Sequence, residues 1–363
     1  MALPNGHHHF IFSDVKKNTA YAWTNGTLRV LLSPSGCNAV GSQKLRQVYF
    51  IVKSSKLLFV TYLSKDTLAN VNGGGDERCQ NLIEPGSNGL LVYSVAEHDS
   101  TIDVTIVACQ HGNRRLVATT LENFEENPSV KSMAVIAETF DGMLLNSPND
   151  VAQHPLTGDL FFTDPAYGLN GKDDDSTKYQ SHSRVYRIDN KYIQARVASS
   201  NGNHDEVKLR EPTAVLDEFA RPNGVAFSID GTRLFVSNSD KTAPDTRVIK
   251  VFDVAWQESG NREGDFYDYS ITNGRIFARA DEARSILDRD RDAASYNGNF
   301  DGVKVDSAGN VFTAGPGGVH VYNSAGEHLG VLLTGVKTGN IALGEDGFLY
   351  IAADTEVRRI ARS

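Results

Sequence analysis

Residues 223–240 read NGVAFSIDGTRLFVSNSD, and this stretch decides the fold. Asn223 leads a short apolar segment, Asp230 and Gly231 form a turn, and a second apolar segment ends in small polar residues. Two short apolar segments joined by an Asp-Gly turn are typical of an antiparallel β-hairpin. The stretch therefore predicts two adjacent strands, with an asparagine at the start of the first.

The same pattern recurs along the chain. An Asn or Asp leads each further copy: NDVAQHPLTGDLFFTDPAYG from Asn149, DGVKVDSAGNVFTAGPGG from Asp301, NIALGEDGFLYIAADTE from Asn340, and a weaker copy, NGLLVYSV with TIVACQHGNRR, from Asn88. A further strand pair follows three of the copies, as at 183–189, 247–254 and 318–333. A repeated unit of about four antiparallel strands is the signature of a propeller blade.

The repeats predict an all-β fold, a six-bladed β-propeller with four-stranded antiparallel blades around a central channel. The segments FIFSDVKKNTAYAW (10–23) and TLRVLL (27–32) supply the sixth blade, so that residues 1–363 are predicted to form a single domain. Two regions interrupt the pattern. Residues 41–87 are an atypical insertion, and residues 276–295 are predicted to form a short surface helix or loop.

Composition and charge exclude several classes of protein. The 363 residues include 36 Lys and Arg against 45 Asp and Glu, and the net charge of −9 argues against nucleic-acid binding, which calls for a basic face. No apolar run of about 18 residues predicts a membrane span, and the first residues lack the pattern of a secretory signal. Because the only cysteines are Cys37, Cys79 and Cys109, we expect free thiols in a cytoplasmic protein rather than a disulfide framework or zinc site.

The leading Asn and Asp residues predict a metal site in the channel. The first strand of each blade lines the channel, so residues at the same repeat position form a ring around its axis. Asn149, Asn223 and Asp301 hold this position, and Asn88 and Asn340 are predicted to join them. Their oxygens suit a divalent cation, Ca²⁺ first, with Mg²⁺, Mn²⁺ or less favourably Zn²⁺ as alternatives. The simpler explanation, that these residues only form turns, fits one copy better than several.

Side chains beyond the second strand of a repeat would rim the channel mouth. His111 is a candidate general base, substrate hydrogen-bond donor or structural histidine, and these alternatives stay open. Arg114 either binds a polyhydroxylated or anionic substrate or pairs with a carboxylate. The candidate substrate-binding residues are Asn88, His111, Arg114, Asn149, Tyr167 and Asn340. The GxSxG, GxGxxG and P-loop motifs are absent, so neither a serine triad of the hydrolase-fold type nor nucleotide binding is predicted.

Four pairs of segments resemble the family of six-bladed propeller lactonases that contains gluconolactonase and regucalcin, the senescence-marker protein. They are EPGSNGL (84–90) with ACQHGNRR (108–115), LNSPNDV (145–151) with FFTDPAYG (161–168), RPNGVAFS (221–228) with VSNSD (236–240), and FDGVKVD (300–306) with AGPGGVHVY (314–322). The segments occur in family order, and the resemblance also includes the opening strand pair.

The resemblance implies a divalent-cation-dependent hydrolase that opens sugar lactones, such as gluconolactone, to aldonic acids. It implies that Asn223 and Asp301 are metal ligands, that Asn149 binds the metal or orients the substrate, and that Asp301 is the catalytic base. In the implied mechanism the cation polarises the lactone carbonyl, while Asp301 or a metal-bound water supplies the nucleophile. The expected partner is a small-molecule lactone, with no nucleic acid and no membrane.

The sequence departs from the family pattern at two places. The family has a metal-binding glutamate shortly before the strand that matches FIFSDV, and no glutamate precedes Phe10 in this sequence. Ser147 stands where the animal members have a substrate arginine. Two alternatives therefore accompany the lactonase, namely a related propeller phosphotriesterase and a non-catalytic calcium-binding regulatory propeller.

Overall fold

The computed structural model of the chain consists mainly of short antiparallel strands. The residues that it describes are 9–14, 19–24, 27–32, 84, 86–98, 101–124, 129–202, 206–240, 246–259, 266–285, 287, 298–353 and 356–361. Most of the insertion predicted at 41–87 therefore lies outside the described residues.

The first nine strands form two sheets and a ribbon. The first sheet consists of β1 (His9–Asp14), β2 (Thr19–Thr24) and β3 (Thr27–Leu32). The second consists of β4 (Ser87–His98), β5 (Thr101–Gln110), β6 (Arg115–Glu122) and β7 (Ser129–Ala137). A short ribbon pairs β8 (Thr139–Phe140) with β9 (Met143–Leu144).

Four further sheets follow in chain order. The third consists of β10 (Val151–Gln153), β11 (Leu160–Asp164), β12 (Ser183–Ile188) and β13 (Thr213–Phe219). The fourth consists of β14 (Pro222–Phe227), β15 (Arg233–Ser239), β16 (Arg247–Glu258) and β17 (Tyr267–Arg279). The fifth consists of β18 (Val303–Val305), β19 (Val311–Gly315), β20 (Gly318–Tyr322) and β21 (His328–Leu333). The sixth consists of β22 (Thr338–Leu343), β23 (Phe348–Ala353) and β24 (Glu356–Ala361).

The first strands of successive sheets are neighbours. Strand β1 lies against β4, β4 against β10, β10 against β14, β14 against β18, and β18 against β22. Within each sheet every strand pairs antiparallel with the next one along the chain. Sheets that pack side by side through their first strands make a propeller. The predicted all-β propeller of small antiparallel blades is therefore confirmed.

The predicted set of six four-stranded blades is only partly found. Four sheets have four strands, whereas β1–β3 and β22–β24 are three-stranded sheets. The described residues thus contain fewer complete blades than the six that were expected, because these two sheets each lack a fourth strand within the described ranges. The count of six stays a prediction.

Helices are short within the described part of the chain. A 3-10 turn covers Lys172–Asp174, and the helices are α1 (Asn190–Ser200) and α2 (Ala280–Ser285). Helix α2 lies in the region 276–295, where a short helix or loop was predicted, but residues 276–279 end strand β17 instead. No helix among the described residues has the length and apolar character that a bilayer span requires.

Apolar side chains fill the space between adjacent sheets. Phe161 of β11 packs edge-to-face on Phe227 of β14, with ring centres 4.8 Å apart, and Phe161 is fully buried. Burial of such a side chain stabilises the fold by about 1.5–3 kcal/mol. Cys109 on β5 is likewise buried, as a free thiol, between the second and third sheets. Cys37 and Cys79 lie outside the described residues.

Candidate functional site

Asn149 and Asp301 stand at the start of two sequence repeats, and residues at this position are called leaders below. They occupy equivalent positions in their sheets. The N–H of Asn149 donates to the carbonyl of Thr163 at 2.8 Å, and the N–H of Asp301 donates to the carbonyl of Ala314 at 2.9 Å. Each bond joins the residue two positions before the inner strand to the penultimate residue of the second strand. The repeat seen in the sequence therefore corresponds to a repeat in backbone hydrogen bonding.

A glycine follows three of the leaders, at Gly89, Gly224 and Gly302, and each glycine lies against the next inner strand. A Cβ atom at Gly89 would lie 2.7 Å from the carbonyl oxygen of Asn149, and a Cβ at Gly224 would lie 2.3 Å from that of Asp301. Such distances exclude any side chain, so the inner strands approach as closely as bare backbone allows. The equivalent leaders are therefore Asn88, Asn149, Asn223 and Asp301.

Asn340 does not occupy the leader position, and this corrects the sequence alignment. The N–H of Gly302 donates to the carbonyl of Gly339 at 2.9 Å, in the same way that the N–H of Gly89 donates to that of Asn149. Gly339 is thus the leader of the sixth sheet, and Asn340 lies one residue further. Aligning the repeats on asparagine missed this shift because backbone bonds between inner strands set the register.

Leader side chains from three consecutive sheets converge. The Nδ2 of Asn149 donates to the Oδ1 of Asn223 at 3.0 Å. The Nδ2 of Asn223 donates in turn to the Oγ of Ser239 at 3.1 Å. Because its Nδ2 is used by Ser239, Asn223 turns its amide oxygen towards Asn149. A hydrogen bond with Asn223 also acts on the Asp301 carboxyl group, so the three side chains form one polar cluster.

The Asp301 carboxyl group is in a region of excess negative charge. Removal from water, followed by repulsion from Asp150 and Glu84, raises the pKa of Asp301 to about 7. Lys304 and the hydrogen bond with Asn223 oppose this rise in pKa. One lysine therefore compensates only part of the charge of three neighbouring carboxyl groups, which favours a bound cation.

Asp150 is a site residue that the sequence analysis missed. It stands directly after a leader, where Gly89 and Gly224 stand in other sheets, and it is 5% exposed. Its Oδ1 accepts from the N–H of Val151 at 3.0 Å, and its Oδ2 accepts from the N–H of Val225 at 3.3 Å. The change from Asn-Gly to Asn-Asp was visible in the sequence and could have identified this carboxylate.

His111 follows the second strand of the second sheet and is fully buried. Its Nδ1 lies 3.5 Å from the Oε2 of Glu84. Neither ring nitrogen makes a hydrogen bond within the described part of the chain. The sequence analysis quoted Glu84 in a family motif without giving it a role, and the structure brings it to both His111 and Asp301.

Arg114 links two loops. Its Nε donates to the carbonyl of Leu145 at 2.6 Å, and its Nη1 donates to the carbonyl of Thr177 at 2.6 Å. The residue is 5% exposed and has a positive φ of 56°. These contacts hold the two loops together. The role of Arg114 in substrate binding stays a prediction.

Tyr167 borders the leader cluster. Its hydroxyl group donates to the carbonyl of Arg221 at 3.4 Å. Burial is the main cause that raises the pKa of Tyr167, and the nearby charge of Asp301 adds to it while a hydrogen bond with Ser239 opposes it. Tyr167 is therefore neutral near pH 7, and its hydroxyl group lies close enough to Asp301 for the charge of Asp301 to raise its pKa.

Two loops at this end of the third sheet are held together by hydrogen bonds. The Asp164 carboxylate accepts from the N–H groups of Asn146 and Ser147, both at 2.8 Å. The Oγ of Ser147 donates to the carbonyl of Pro165 at 2.6 Å and accepts from the N–H of Gly168 at 2.8 Å. Ser147 therefore fixes the loop that precedes Asn149.

A sequence model for the SMP-30/Gluconolactonase/LRE-like region matches residues 6–355. The chain belongs to this family. The sequence-based assignment to the gluconolactonase and regucalcin family is thereby confirmed.

Individual relatives agree with the family assignment. Gluconolactonase of Zymomonas mobilis is 28% identical over 280 residues, which cover 76% of this chain and 63% of that protein. This chain thus spans less than two thirds of that relative. A gluconolactonase structure from Xanthomonas campestris aligns with a TM-score of 0.57 at 20% identity, over 97% of this chain and 81% of that one. A second structure, described as a putative gluconolactonase, aligns with a TM-score of 0.55 at 21% identity, over 99% of this chain and 93% of that one. Identities this low support the fold alone.

The leader cluster of this family member has donors that fit a divalent cation. No group of three or more His, Cys, Asp or Glu side chains among the described residues is arranged to hold a metal. A cation would therefore bind through amide oxygens together with Asp301, which is the hard oxygen chemistry of Ca²⁺ and Mg²⁺ sites. The excess of carboxyl groups around Asp301 agrees with such an ion.

Proposed function

We propose that the chain is a divalent-cation-dependent lactonase that opens sugar lactones of the gluconolactone type to aldonic acids, in a single six-bladed propeller. The observation that carries the proposal is the convergence of Asn149, Asn223 and Asp301 from three consecutive inner strands. The family assignment and the similarity to a protein called gluconolactonase support the choice of reaction.

Asn149, Asn223 and Asp301 would hold the cation, with Asn88 as the leader of the preceding sheet. Ca²⁺ is the first choice, and Mg²⁺, Mn²⁺ or Zn²⁺ are alternatives. When bound, the cation supplies Lewis-acid polarisation of a carbonyl oxygen. The raised pKa of Asp301 in the metal-free chain reflects charge that such an ion neutralises.

Asp301 is proposed as the general base. Its carboxylate takes a proton from water as the water oxygen attacks the lactone carbonyl carbon. The bond between that carbon and the ring oxygen then breaks, and the ring oxygen takes the proton from Asp301 to become a hydroxyl group. A base works best when its pKa is near the working pH, and burial moves the pKa of Asp301 in that direction. A bound cation shifts the pKa of Asp301 back down, because positive charge favours the carboxylate.

Polar groups around the cluster are proposed to bind the sugar hydroxyl groups. Tyr167 offers a neutral hydroxyl beside Asp301. Asn88 is half-buried at the leader position of the second sheet. Asn340, one residue beyond its leader, accepts from the N–H of Ile341 at 2.8 Å and from Lys304 Nζ at 3.4 Å, so its side chain lies next to Lys304 of the fifth sheet.

The test is acid release from a panel of sugar lactones, followed at constant pH with and without EDTA. We expect hydrolysis that EDTA abolishes and added Ca²⁺ restores. Asp301→Asn should lose activity by several orders of magnitude, because it removes both a metal ligand and the base. Asp253→Asn is the matched control, since this exposed carboxylate pairs with Arg275 and Asn273, both at 2.9 Å.

The two alternatives give different results in the same assay. Phosphotriester hydrolysis faster than lactone hydrolysis would favour the phosphotriesterase. Stoichiometric Ca²⁺ binding in a calorimeter, without turnover of any lactone, would identify a binding protein and refute the enzyme.

A further inference from the structure

The connection between β11 and β12 is long compared with its equivalents in the other sheets. It comprises residues 165–182, whereas residues 111–114, 240–246 and 316–317 connect the second and third strands of the second, fourth and fifth sheets. Because Thr163, near the end of β11, accepts from the N–H of Asn149, the connection starts beside a leader. A connection longer than about 15 residues is uncommon in a compact fold and usually has a function.

Both ends of this connection are held by neighbouring loops. The N–H of Gly168 donates to the Oγ of Ser147 at 2.8 Å, in the loop that precedes the third sheet. The Nη1 of Arg114 donates to the carbonyl of Thr177 at 2.6 Å, from a loop of the second sheet. The ends are therefore attached to the second and third sheets.

Arg221 attaches the middle of the connection to the fourth sheet. Its Nε donates to the Oδ2 of Asp173 at 2.8 Å, and its Nη2 lies 2.7 Å from the same oxygen. Its backbone carbonyl accepts from the hydroxyl group of Tyr167 at 3.4 Å. Its own N–H donates to the Oδ1 of Asn238 on β15 at 2.9 Å. Arg221 thus holds the connection at two points and is itself fixed to the fourth sheet.

Turns in the backbone join these two points of attachment. The N–H of Leu169 donates to the carbonyl of Ala166 at 3.3 Å, and the N–H of Lys172 donates to the carbonyl of Leu169 at 3.0 Å. Leu169 is 5% exposed, so this part of the connection is packed against the protein. Tyr167 and Asp173 therefore belong to one short segment with its own hydrogen bonds.

Tyr167 is close to both the ion pair and the leader cluster. The carbonyl that accepts its hydroxyl proton belongs to the residue two positions before the leader Asn223. Burial raises the pKa of Tyr167 most, and the charge of Asp301 raises it further. The charges of the ion pair also act on this pKa, that of Arg221 downwards and that of Asp173 upwards. The Tyr167 hydroxyl is therefore within electrostatic reach of both groups of charges.

We propose that the ion pair of Asp173 and Arg221 is a positioning contact, which holds the hydroxyl group of Tyr167 beside the leader cluster for the binding of hydroxylated lactones. The proposal rests on the lactonase function proposed above. Asp173 acts through Tyr167 and is not a catalytic residue. Without the ion pair, the connection keeps the attachment of its ends but loses its hold on the fourth sheet. Affinity for sugar hydroxyl groups then falls, whereas the chemical step is unchanged.

The first experiment compares a lactone that carries hydroxyl groups with one that does not. Asp173→Asn removes the ion pair and keeps the size of the side chain. For gluconolactone we expect KM to rise about two- to fivefold with kcat unchanged, since a partly exposed ion pair contributes a factor of this size. For δ-valerolactone both constants should stay at the wild-type values. Asp174→Asn is the matched control, because Asp174 is an exposed carboxylate in the same turn.

The second experiment asks whether Asp173 acts through Tyr167. Tyr167→Phe should also raise KM for gluconolactone, and the addition of Asp173→Asn to it should cause no further rise. Asp173→Glu keeps the charge and should retain most of the wild-type affinity. Salt screens a partly exposed ion pair, so added NaCl should raise the wild-type KM towards that of Asp173→Asn. Thermal unfolding and Ca²⁺ titration of each variant report folding and cation binding independently of activity.

The outcomes separate this proposal from the lactonase function. Three results would overturn the positioning role while the wild-type lactonase stands: an unchanged KM for gluconolactone in a folded Asp173→Asn, equal rises on both lactones, or a further rise on top of Tyr167→Phe. A wild-type chain inactive on every lactone overturns the lactonase function and this proposal with it. A rise in KM confined to gluconolactone, with Ca²⁺ affinity unchanged, is the expected result.

Discussion

The Nζ of Lys304 lies 3.7 Å from the Oδ2 of Asp150, although strand β14 separates their two sheets. Lys304 also donates to the Oδ1 of Asn340 at 3.4 Å and to the carbonyl of Val303 at 3.0 Å. One lysine on β18 therefore links the third and sixth sheets through the channel. It also supplies the positive charge that partly offsets the carboxylate of Asp301.

The first prediction concerns this salt bridge. Lys304→Met should lower the free energy of unfolding by about 1–3 kcal/mol, because it leaves the buried Asp150 carboxylate without its counter-ion. Urea unfolding measures the change. Lys250→Met is the control, since its pair with Glu218 at 2.9 Å is surface-exposed and should contribute less than about 1 kcal/mol. In the double variant with Asp150→Asn, part of the loss should be recovered; strictly additive losses would contradict the coupling.

The second prediction concerns pH and cation binding. In the metal-free chain the pKa of Asp301 is raised to about 7, so a cation must displace a proton below that pH. Ca²⁺ affinity should therefore fall about tenfold for each pH unit below 7 and level off above it. Calorimetry in buffers of different ionisation enthalpy measures both the affinity and the proton released. In Asp301→Asn the pH dependence should disappear, and an unchanged slope in that variant would argue against Asp301 as a ligand.

The third prediction concerns stability in acid. His154 is fully buried, and its ring packs edge-on against Trp256 with centres 4.4 Å apart. Burial lowers the pKa of His154 from 6.5 to about 4. The unfolded chain therefore binds a proton first as pH falls, and stability is lost between about pH 6.5 and 4, by up to about 3 kcal/mol.

Comparison of two histidine variants tests this effect. His154→Asn should flatten the pH dependence of unfolding over that range, whereas the exposed His182→Asn should leave it unchanged. His320 has the same low pKa of about 4 for the same reason, so some dependence should persist in His154→Asn. Identical pH profiles for wild type and His154→Asn would show that His154 is not the source.

The fourth prediction concerns the close approach of inner strands. Gly224→Ala would place a Cβ 2.3 Å from the carbonyl of Asp301, and the overpacking should cost about 1–3 kcal/mol. Ca²⁺ affinity should fall as well, because the added methyl group moves Asp301 away from Asn223. Gly330→Ala is the control, since nothing lies within 4 Å of its Cβ position. A normal Ca²⁺ affinity in Gly224→Ala would mean that this contact does not position the site.

The sequence predicts the propeller well because each hairpin carries its own local pattern of apolar strands and glycine turns. Leaders at 149, 223 and 301 could be aligned because a repeat position in sequence becomes a position around the axis. The assignment of Asn340 to the leader position was wrong, because only the long-range hydrogen bonds between inner strands distinguish Asn340 from Gly339.

The surroundings of the site were less predictable. Asp150, Glu84 and Lys304 meet from three different sheets or loops, and their proximity depends on how closely the inner strands pack. Arg114 was expected to face a substrate or a carboxylate; its guanidinium donates to two loop carbonyl groups, and its charge also acts on the Asp164 carboxyl group. Single residues of this kind have no repeat from which their position can be inferred.

Gly339 is the one leader position described above that has no side chain. The equivalent positions in four other sheets carry a side chain, whereas at Gly339 the place of a Cβ atom is empty and lies 4.0 Å from the Oδ2 of Asp301. The repeat symmetry of the blades is thus broken beside the group proposed to take the proton. An approach to Asp301 from the Gly339 side therefore meets no side chain at that position of the ring.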